Sequence, residues 1–416
     1  MRRMCSVTAP LAGIKVLELA GLAPSPFVGL ILSDFGADVI VCDRCRGGAV
    51  FEPQPVDALR RGKRSIALDL KHPAGAEVFR TIARSVDVVI EPFRPGKMEA
   101  LGLGPDVLRR ENPRLVYARL TGYGRGGDPA MDGAAGHDIN YLAMSGVLST
   151  FARNGEPPRA PTNLVGDFAG GSLSCAFGIM MALFTRERSG AGQVVDAAMV
   201  DGAAYLNTFV HTAMNNGWWN NGTRADDAGS NFLDGGAPWY DCYACADGKH
   251  ISVGAIEAPF YAALLAGVPS ALLGEAEKAT LRAEQLDAAT WGATRATLAA
   301  VFAAKPRDEW AAIYRGTDAC VTPVLTLREA HADPHSVARR SFAAVASRNG
   351  ETSMAPAPAP RLSATPARDP AATRAPSAAG AATEVVLREC GVDADSFAAL
   401  VAAGVCAPTP PGASRL

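Results

Sequence analysis

Short apolar runs alternate with amphipathic segments along the first half of the chain. "GIKVLELA" and "ADVIVCD" predict strands on either side of a helix, "PFVGLILSDFG", whose proline stands near its start. The same alternation recurs in "RSIALDL", "PAGAEVFRTIARSV" and "DVVIEPF", and "LVYARLTGYG" adds a strand that ends in glycines. Continuous apolar strands between helices are typical of a parallel sheet covered on both faces. The pattern predicts a doubly wound, Rossmann-like α/β domain that binds its ligand at the carboxyl ends of the strands.

The pattern changes in the second half of the chain and predicts a second, smaller α+β domain. We expect the large domain to occupy residues 1–205 and a polar, glycine-rich linker to occupy 206–230. The small domain is expected at 231–315, because "WYDCYACADGKHISVGAIE" reads as a hairpin with the turn "ADGK" and alanine-rich helices follow. Residues 316–416 then return to the large domain. They include a Pro/Ala-rich surface segment from Met354 to Ala382 and two short helices in "TEVVLRECGVDADSFAALVAAGV".

Composition and charge argue against some classes of binding partner and favour one cellular compartment. The 416 residues carry a net charge of −2 without a basic block, which argues against a nucleic-acid partner. The longest apolar helical run, Leu173 to Phe184, is too short to span a bilayer, so we expect a buried helix and no membrane partner. The basic start of the chain lacks a signal-peptide core, and nine scattered cysteines indicate reduced thiols and a cytoplasmic location. The final "SRL" only approximates the peroxisomal signal "SKL", which leaves that address open.

Neither a metal nor a resident cofactor is predicted. Two CxxC pairs, Cys42/Cys45 and Cys242/Cys245, could supply four zinc thiolates, but they lie about two hundred residues apart. Small core residues are the simpler interpretation. "GYGRGG" fits GxGxxG formally, yet no helix opens directly after it, which argues against NAD or FAD. A turn that lets the backbone approach some ligand closely is the favoured interpretation of these glycines.

Three residues are candidates for acid–base chemistry. His137, in "GHDINY", is one of only six histidines, and no second histidine or cysteine stands near it at metal-ligand spacing. A structural hydrogen bond and a proton-transfer role both remain open for it. Asp167, in "NLVGDFAGGS", stands where an apolar helix begins and suits a helix N-cap. Glu257 follows a predicted strand and, taken alone, is a first-turn helix acid.

The surroundings of Asp167 leave both a structural cap and a proton-transfer role open. The neighbouring glycines leave room for a ligand. Helix N-terminal amides favour the carboxylate, whereas burial opposes it, and such opposed effects suit a proton-transfer group. Hydrolysis by a Ser/His/Asp triad is disfavoured, since the chain has no GxSxG elbow.

Across nearly its whole length the chain resembles the family III CoA-transferases. The resemblance rests on "GIKVLELAGLAPSPFVGLILSDFGADVI", "KRSIALDLK", "FRPGKMEALGLG", "RLTGYG" and "EVVLRECGV". Within that family it is most similar to the alpha-methylacyl-CoA racemase branch, on "GHDINY", "NLVGDFAGGS", "GQVVDAAMVDG", "LDGGAPWYD" and "VGAIEAPFYAALLAG".

The resemblance implies a racemisation of 2-methylacyl-CoA thioesters and a role for each candidate. His137 matches the racemase histidine, Glu257 its carboxylate partner, and Asp167 the acid on the opposite face of the substrate. The backbone amide of Asp138 is the candidate oxyanion donor, if a helix opens after His137. The resemblance also implies an intertwined homodimer with the active site between one large domain and the partner's small domain. The positions expected to contact CoA are Leu22, Arg44, Leu68, Arg94, Tyr141 and Asn163.

Two other activities remain compatible with these motifs. In a transferase, Asp167 would attack the acyl-CoA and pass through an aspartyl-CoA thioester, a route that has no need of a His137–Glu257 pair. That pair favours the racemase. A catalytically silent CoA-binding protein is the third possibility, because some family cations are replaced. Val41, Ala100 and Arg60 depart from the family pattern, and the cations that could compensate are Arg61, Lys63, Arg64 and Lys97.

Overall fold

The structure, a computed structural model of the chain, describes residues 9–45, 59–216, 219, 228–347 and 350–407. The chain forms two compact units. Unit 1 comprises Met1–Ser145, Thr162–Tyr205 and Pro334–Leu416, and unit 2 comprises Gly146–Pro161 and Leu206–Asp333. The chain thus enters unit 2 first at Gly146, returns to unit 1 at Thr162, and enters unit 2 again at Leu206. Unit 2 extends to residue 333 instead of 315, because the strand at Val321–Pro323 pairs with its sheet.

Unit 1 is built on a six-stranded, all-parallel sheet, which confirms the predicted fold class. The strand order is β3-β2-β1-β4-β5-β6, the order of doubly wound nucleotide-binding folds. Adjacent residues of β1 face opposite sides, so Val16 packs into one core and Leu17 into the other. The strands are β1 Lys15–Leu19, β2 Asp38–Arg44, β3 Arg64–Leu68, β4 Val88–Glu91, β5 Val116–Thr121 and β6 Val194–Ala198.

Helices cover the sheet of unit 1 and also pack against the sheet of unit 2. Several start at a proline, whose fixed φ and missing N–H suit the first helical turn. A π-helix at Leu164–Leu173 precedes α7. The α-helices are α1 Pro24–Asp34, α2 Pro73–Ala83, α3 Lys97–Ala100, α4 Pro105–Glu111, α5 Pro129–Asp132, α6 Asp138–Met144, α7 Ser174–Ser189, α8 Met199–Leu206, α9 Thr208–Asn215, α10 Ala258–Gly267, α11 Glu275–Ala283, α12 Trp291–Phe302, α13 Arg307–Tyr314, α14 Leu327–Ala332, α15 Pro334–Arg339, α16 Thr383–Glu389 and α17 Ala394–Ala402.

Unit 2 contains a three-stranded antiparallel sheet backed by helices. The predicted hairpin is present: β7 (Tyr240–Ala244) pairs with β8 (His250–Gly254), and β9 (Val321–Pro323) adds to the other edge of β8. The turn between β7 and β8 places Gly248 at φ +73°, a backbone conformation that glycine adopts without strain. Trp239 and Trp310 are fully buried in the core of this unit.

The chain returns to unit 1 through a hairpin and a long irregular segment. β10 (Phe342–Ala346) pairs with β11 (Thr352–Pro356), so the first residues of the predicted Pro/Ala-rich segment are a strand. Farther along, the Arg368 N–H donates to the Asp34 carbonyl, which attaches this segment to the end of α1. The two predicted C-terminal helices are α16 and α17. The "SRL" tripeptide lies outside the described residues.

The π-helix and α7 form one continuous helix at residues 164–189, longer than the predicted apolar run. By length and composition this helix could cross a membrane, and 44% of its most apolar window is buried inside the protein. A long core helix meets the same criterion, since it too is apolar over many turns. The expectation that the protein has no membrane partner stays a prediction.

Candidate active site

A cavity of about 340 Å³ lies in unit 1 at the carboxyl ends of β1, β4 and β5. This is the edge at which ligands of doubly wound sheets bind. Segments that directly follow β1 and β4 form part of its wall, and the end of β5 forms another part. Five of the residues predicted from the sequence line it together: Leu22, Arg94, His137, Tyr141 and Asp167.

His137 is held at the entrance to a helix. It is the N-cap residue of α6, has extended backbone torsions, and its N–H donates to Asn140 Oδ1 over 3.1 Å. The residue is exposed and lines the cavity. A helix does open after His137, as the oxyanion hypothesis required. As the first residue of that helix, Asp138 has a backbone N–H without an intrahelical acceptor.

Asp167 lies within a π-helix and is not its N-cap, contrary to the sequence prediction. The helix begins at Leu164, and Asn163 occupies the N-cap position. The amides of Gly166 and Asp167 are instead satisfied from another helix, because both donate to Asp138 Oδ2 over 2.7 Å. Asn163 Nδ2 donates to Asp167 Oδ2 over 3.1 Å, so this predicted CoA contact touches the candidate acid. A π-helix is rare and occurs frequently at functional sites.

Opposed electrostatic effects act on the Asp167 carboxyl. Burial raises its pKa above the ordinary value and is the largest effect. The hydrogen bond from Asn163 and the charge of His137 act in the opposite direction, whereas the nearby Asp138 carboxylate adds to the rise. The net result is a raised pKa, which brings this carboxyl closer to the range of an imidazole.

The glycines around Asp167 accommodate protein packing rather than a ligand. A Cβ atom on Gly166 would lie 2.8 Å from Asp138 Oδ2, and one on Gly170 would lie 2.6 Å from the backbone nitrogen of Ala203. The glycines thus allow the π-helix to approach α6 and α8 closely. The prediction that they leave room for a ligand was wrong at these two positions.

The "GYGRGG" turn is shaped by a tyrosine. A Cβ atom on Gly122 would lie 2.2 Å from the Tyr141 ring. Tyr141 packs edge-to-face on Tyr123, and its hydroxyl donates to the Gly136 carbonyl over 2.5 Å. Burial raises the pKa of Tyr141 to about 12, so the phenol stays protonated near neutral pH. The close approach predicted at this turn is therefore made by a side chain that also lines the cavity.

The remaining predicted residues lie outside the cavity lining. Arg44 is exposed at the carboxyl end of β2. Leu68, at the end of β3, is only 2% exposed and its side chain packs in the core. Glu257 belongs to unit 2, where it is exposed and directly precedes α10. Its pairing with His137 stays a prediction.

Three of the four cations suggested as substitutes for CoA binding are committed to internal ion pairs. Lys63 Nζ lies 2.6 Å from Glu18 Oε2, both side chains being 1% exposed, and it also donates to the Pro26 carbonyl at the start of α1. Sequence spacing could not reveal these partners, which come from distant strands and helices. Lys97, in contrast, is exposed at the start of α3. The other committed pairs are Arg61–Asp34, Arg64–Asp38 and Arg64–Glu389, and Arg60 is paired with Asp43.

Sequence reasoning missed two polar residues that support the site. Asp138 was considered for its backbone alone, although its buried carboxylate binds the π-helix. Ser172 is fully buried, and its hydroxyl lies 2.9 Å from both the Asp167 carbonyl and the Pro24 carbonyl. It thereby connects the π-helix to α1. An aspartate at the first position of a helix was a usable signal, whereas a serine among small residues gave none.

Comparisons with known proteins agree with this architecture. The family model for CoA-transferase family III matches residues 11–381. The chain is 49% identical to the alpha-methylacyl-CoA racemase of Mus musculus and 48% identical to that of Homo sapiens, over 92% of this chain and 93% of each relative. The crystal structure of Rv3272 from M. tuberculosis superposes with a TM-score of 0.73 at 28% identity, covering 91% of this chain and 99% of that one. The predicted resemblance is confirmed: the chain belongs to CoA-transferase family III.

Proposed function

We propose that this protein is an alpha-methylacyl-CoA racemase, which interconverts (2R)- and (2S)-2-methylacyl-CoA thioesters by a 1,1-proton transfer through an enolate. The observation that carries the proposal is the presence of His137 and Asp167 in the lining of one cavity, at the ligand-binding edge of the sheet. Racemisation requires one proton-transfer group on each face of the α-carbon, and an imidazole and a carboxyl can both serve near neutral pH. The two racemases of about 49% identity support the same activity.

For either direction to proceed, one of the two side chains must be protonated and the other must be deprotonated. In one direction the Asp167 carboxylate removes the α-proton and the His137 imidazolium supplies one to the opposite face. In the reverse direction neutral His137 is the base and protonated Asp167 is the acid. Both starting states hold one proton between the two side chains, so they differ only in where it resides.

The raised pKa of Asp167 reduces the free-energy difference between these two states. With an ordinary carboxyl pKa the proton would reside almost entirely on His137, and the direction that starts from protonated Asp167 would be poorly populated. Burial raises the carboxyl pKa and reduces that imbalance. The position of Asp167 inside the π-helix therefore serves both directions of the reaction.

Acid–base groups alone do not suffice for so weak a carbon acid, since each contributes typically about 10²–10⁴-fold. The enolate oxygen needs hydrogen-bond donors, each contributing about 3–4 kcal/mol. The N–H of Asp138, at the start of α6, is the proposed donor. Glu257 of the partner subunit is proposed to orient His137.

CoA recognition is proposed to use the exposed cations on the same edge of the sheet. Arg94 lines the cavity, Lys97 begins the next helix, and Arg44 is exposed after β2. Solvent-accessible guanidinium and ammonium groups of this kind are suited to bind the phosphate groups of CoA. Leu22, 57% exposed in the cavity wall, and Tyr141 offer apolar contact. No cofactor is proposed beyond the CoA of the substrate.

The family also contains CoA-transferases, and Asp167 lies where it could act as their nucleophile. The carboxylate would attack the acyl thioester, form an anhydride and release the CoA thiolate. The thiolate would then attack the aspartyl carbonyl, release the donor acid and give an aspartyl-CoA thioester. This route requires an acceptor acid and leaves the C2 proton in place. The two activities therefore differ in whether C2–H exchanges with solvent.

The test is C2–H exchange of a 2-methylacyl-CoA in heavy water without an acceptor acid. Wild type should incorporate deuterium at C2, and both His137→Ala and Asp167→Asn should lower racemisation by at least about 10²-fold. His72→Ala is the matched control, because His72 is also a helix N-cap, at α2, and lies outside the cavity lining. CoA transfer between two acids without any C2–H exchange would overturn the racemase proposal.

We also propose a homodimer and a cytoplasmic location. α7 buries one face, whereas its opposite face exposes a stripe of large apolar side chains at helical spacing. Exposed apolar patches of this kind mark interaction surfaces, and the family resemblance makes a second copy of this chain the proposed occupant. The stripe consists of Leu173, the last residue of the π-helix, and of Phe177, Met180, Met181 and Phe184 in α7.

A further inference from the structure

We infer that the Asp138 side chain is the positioning residue that fixes the spacing between His137 and Asp167, an inference that rests on the proposed function. Asp138 directly follows His137 in the chain, and its carboxylate accepts the N–H of Asp167 itself. One residue thus joins the two segments that carry the proton-transfer groups.

The geometry of this connection is tight. Asp138 is 5% exposed, and its Oδ2 atom accepts the Gly166 and Asp167 amides over 2.7 Å each. These are amides of the first turn of the π-helix, which have no acceptor within their own helix. A charged acceptor makes such hydrogen bonds roughly twice as strong as neutral ones.

The neighbouring residues are adapted to this contact. Gly166 has no side chain, and a Cβ atom there would meet Asp138 Oδ2 at 2.8 Å. The other carboxylate oxygen, Oδ1, is buried and has no hydrogen-bond partner among the described residues. The carboxylate is therefore placed by its contact with the π-helix, and its charge stays close to the Asp167 carboxyl.

Asp138 also affects the proton balance of that carboxyl. Its negative charge contributes to the raised pKa of Asp167, after burial. Removing the charge while keeping an oxygen acceptor should lower the pKa of Asp167. Removing the acceptor as well should release the first turn of the π-helix. Two substitutions at one position thus separate charge from anchoring.

The experiment compares Asp138→Ala, Asp138→Asn and wild type in racemisation of a 2-methylacyl-CoA. Asp138→Ala should lower kcat by about 10²-fold with KM little changed, because reacting groups displaced by about 1 Å lose rate on that scale. Asp138→Asn should restore most of the lost kcat. The acid limb of its pH–rate profile should move to lower pH, a shift that a purely structural role would not produce.

Asp87→Ala is the control for loss of a structural carboxylate in unit 1. Asp87 accepts the Lys15 N–H over 2.8 Å and forms an ion pair with Arg186. It lies at the amino ends of β1 and β4, the opposite edge of the sheet from the cavity. It should lower the unfolding temperature without changing the pH profile. A fall in kcat equal to that of Asp138→Ala would overturn the inference.

Hydrogen exchange provides a readout independent of activity. In Asp138→Ala the amides of Gly166 and Asp167 should exchange faster than in wild type, relative to the rest of the sheet. Unchanged protection at these amides, or wild-type kcat in Asp138→Ala, would overturn the positioning role. Absence of C2–H exchange in wild type would overturn the proposed function instead. Hydrogen exchange at the two amides would still test whether Asp138 holds the first turn of the π-helix.

Discussion

The amide of Asn163 and the carboxylate of Asp138 act on the Asp167 carboxyl in opposite senses. Asn163 donates to it over 3.1 Å and stabilises the charged form, whereas the charge of Asp138 disfavours that form. Both effects are superimposed on a larger effect of burial. The protonation of this single group is therefore adjustable from two sides without touching the group itself.

Replacing Asn163 should shift the pH dependence upward. In Asn163→Ala the hydrogen bond that favours the Asp167 carboxylate is lost, so its pKa should rise further. The acid limb of the rate profile reports the loss of the first proton from the His137–Asp167 pair, and that limb should move to higher pH. The measurement is kcat for racemisation between about pH 4 and 9, a range that spans the ordinary pKa values of the two groups.

Asn112→Ala is the matched amide control for this experiment. Asn112 donates to the carbonyls of Ala83 and Val86 and contacts no acidic side chain of the cavity. Its replacement should leave the acid limb unchanged. An unchanged or downward-shifted limb in Asn163→Ala would contradict the assigned effect of Asn163 on Asp167.

At this scale the sequence predicted residues of the cavity lining better than the residues that support them. His137, Asp167, Tyr141 and Arg94 could be located from motifs, because the motifs span only a few residues each. The Asp138–Gly166 contact joins residues 28 positions apart, and the Lys63–Glu18 pair joins residues 45 apart. Such partners depend on how helices and strands pack, which no local spacing encodes.

The π-helix is the element on which the site depends. Its glycines bring its backbone against α8: a Cβ atom on Gly202 would lie 1.8 Å from the Gly170 carbonyl oxygen. Ser172 joins it to α1 and Asp138 joins it to α6. Contacts from three helices thus determine the position of a segment whose hydrogen bonding is otherwise unfavourable.

Gly202→Ala should destabilise the protein and reduce its activity. The added methyl group meets backbone atoms, which cannot move aside as a flexible side chain can, and overpacking of this kind costs typically about 1–3 kcal/mol. The displaced π-helix would carry Asp167 with it, so racemisation should also fall. Urea unfolding and C2–H exchange measure the two effects.

Gly292→Ala is the control within a helix. Gly292 lies in α12, and a Cβ atom there would have nothing within 4 Å. Alanine should therefore stabilise the protein by about 0.5–1 kcal/mol through its helix propensity. If Gly202→Ala were as stable and active as wild type, the close contact between the π-helix and α8 would not position the site.

The sequence pattern predicted five of the six strands of the sheet domain, β1 to β5, together with the helices α1, α2, α7, α16 and α17, because their apolar periodicity is strong. It did not predict the π-helix or the start of that helix at Leu164. The apolar periodicity around Asp167 fits an ordinary α-helix equally well. In the structure the segment is a π-helix, and the Asp138 carboxylate of α6 accepts the amides of Gly166 and Asp167 in its first turn. The β10–β11 hairpin was missed because alanine, which is depleted in strands, fills three of the five positions of β10, and the segment predicted to be Pro/Ala-rich begins within β11.

At the scale of the whole molecule, the apolar stripe is a surface available to a partner. Phe177 and Phe184 are 64% and 67% exposed, and they lie seven residues apart on one helical face. The opposite face packs on the sheet through Cys175 and Ile179. Within the described part of the chain the Arg188 guanidinium lies over the Phe184 ring, 4.7 Å from its centroid, and the side chains of the stripe remain largely exposed.

The double substitution Phe177→Glu with Phe184→Glu should convert the proposed dimer into a monomer. Charges placed in an apolar interface would have to be desolvated without partners, which disfavours association. Sedimentation velocity should show half the wild-type mass. Racemisation should fall as well, if the partner contributes to each active site.

Val385→Glu is the matched surface control. Val385 is an exposed apolar residue on α16, outside the stripe. It should retain wild-type mass and activity. Persistence of a dimer in the double variant would contradict the assignment of the stripe as the contact surface.

The late return of the chain to unit 1 has a consequence for biosynthesis. Ser65 Oγ of the edge strand β3 accepts the Gly380 N–H, and Leu68 of the same strand forms a β-bridge with Cys406. These partners are synthesised more than three hundred residues after β3. At translation speeds of about 5–20 residues per second, that strand edge stays uncovered for at least about 15 seconds. Newly made protein is therefore exposed to chaperone binding and mispairing at an edge that the mature enzyme conceals.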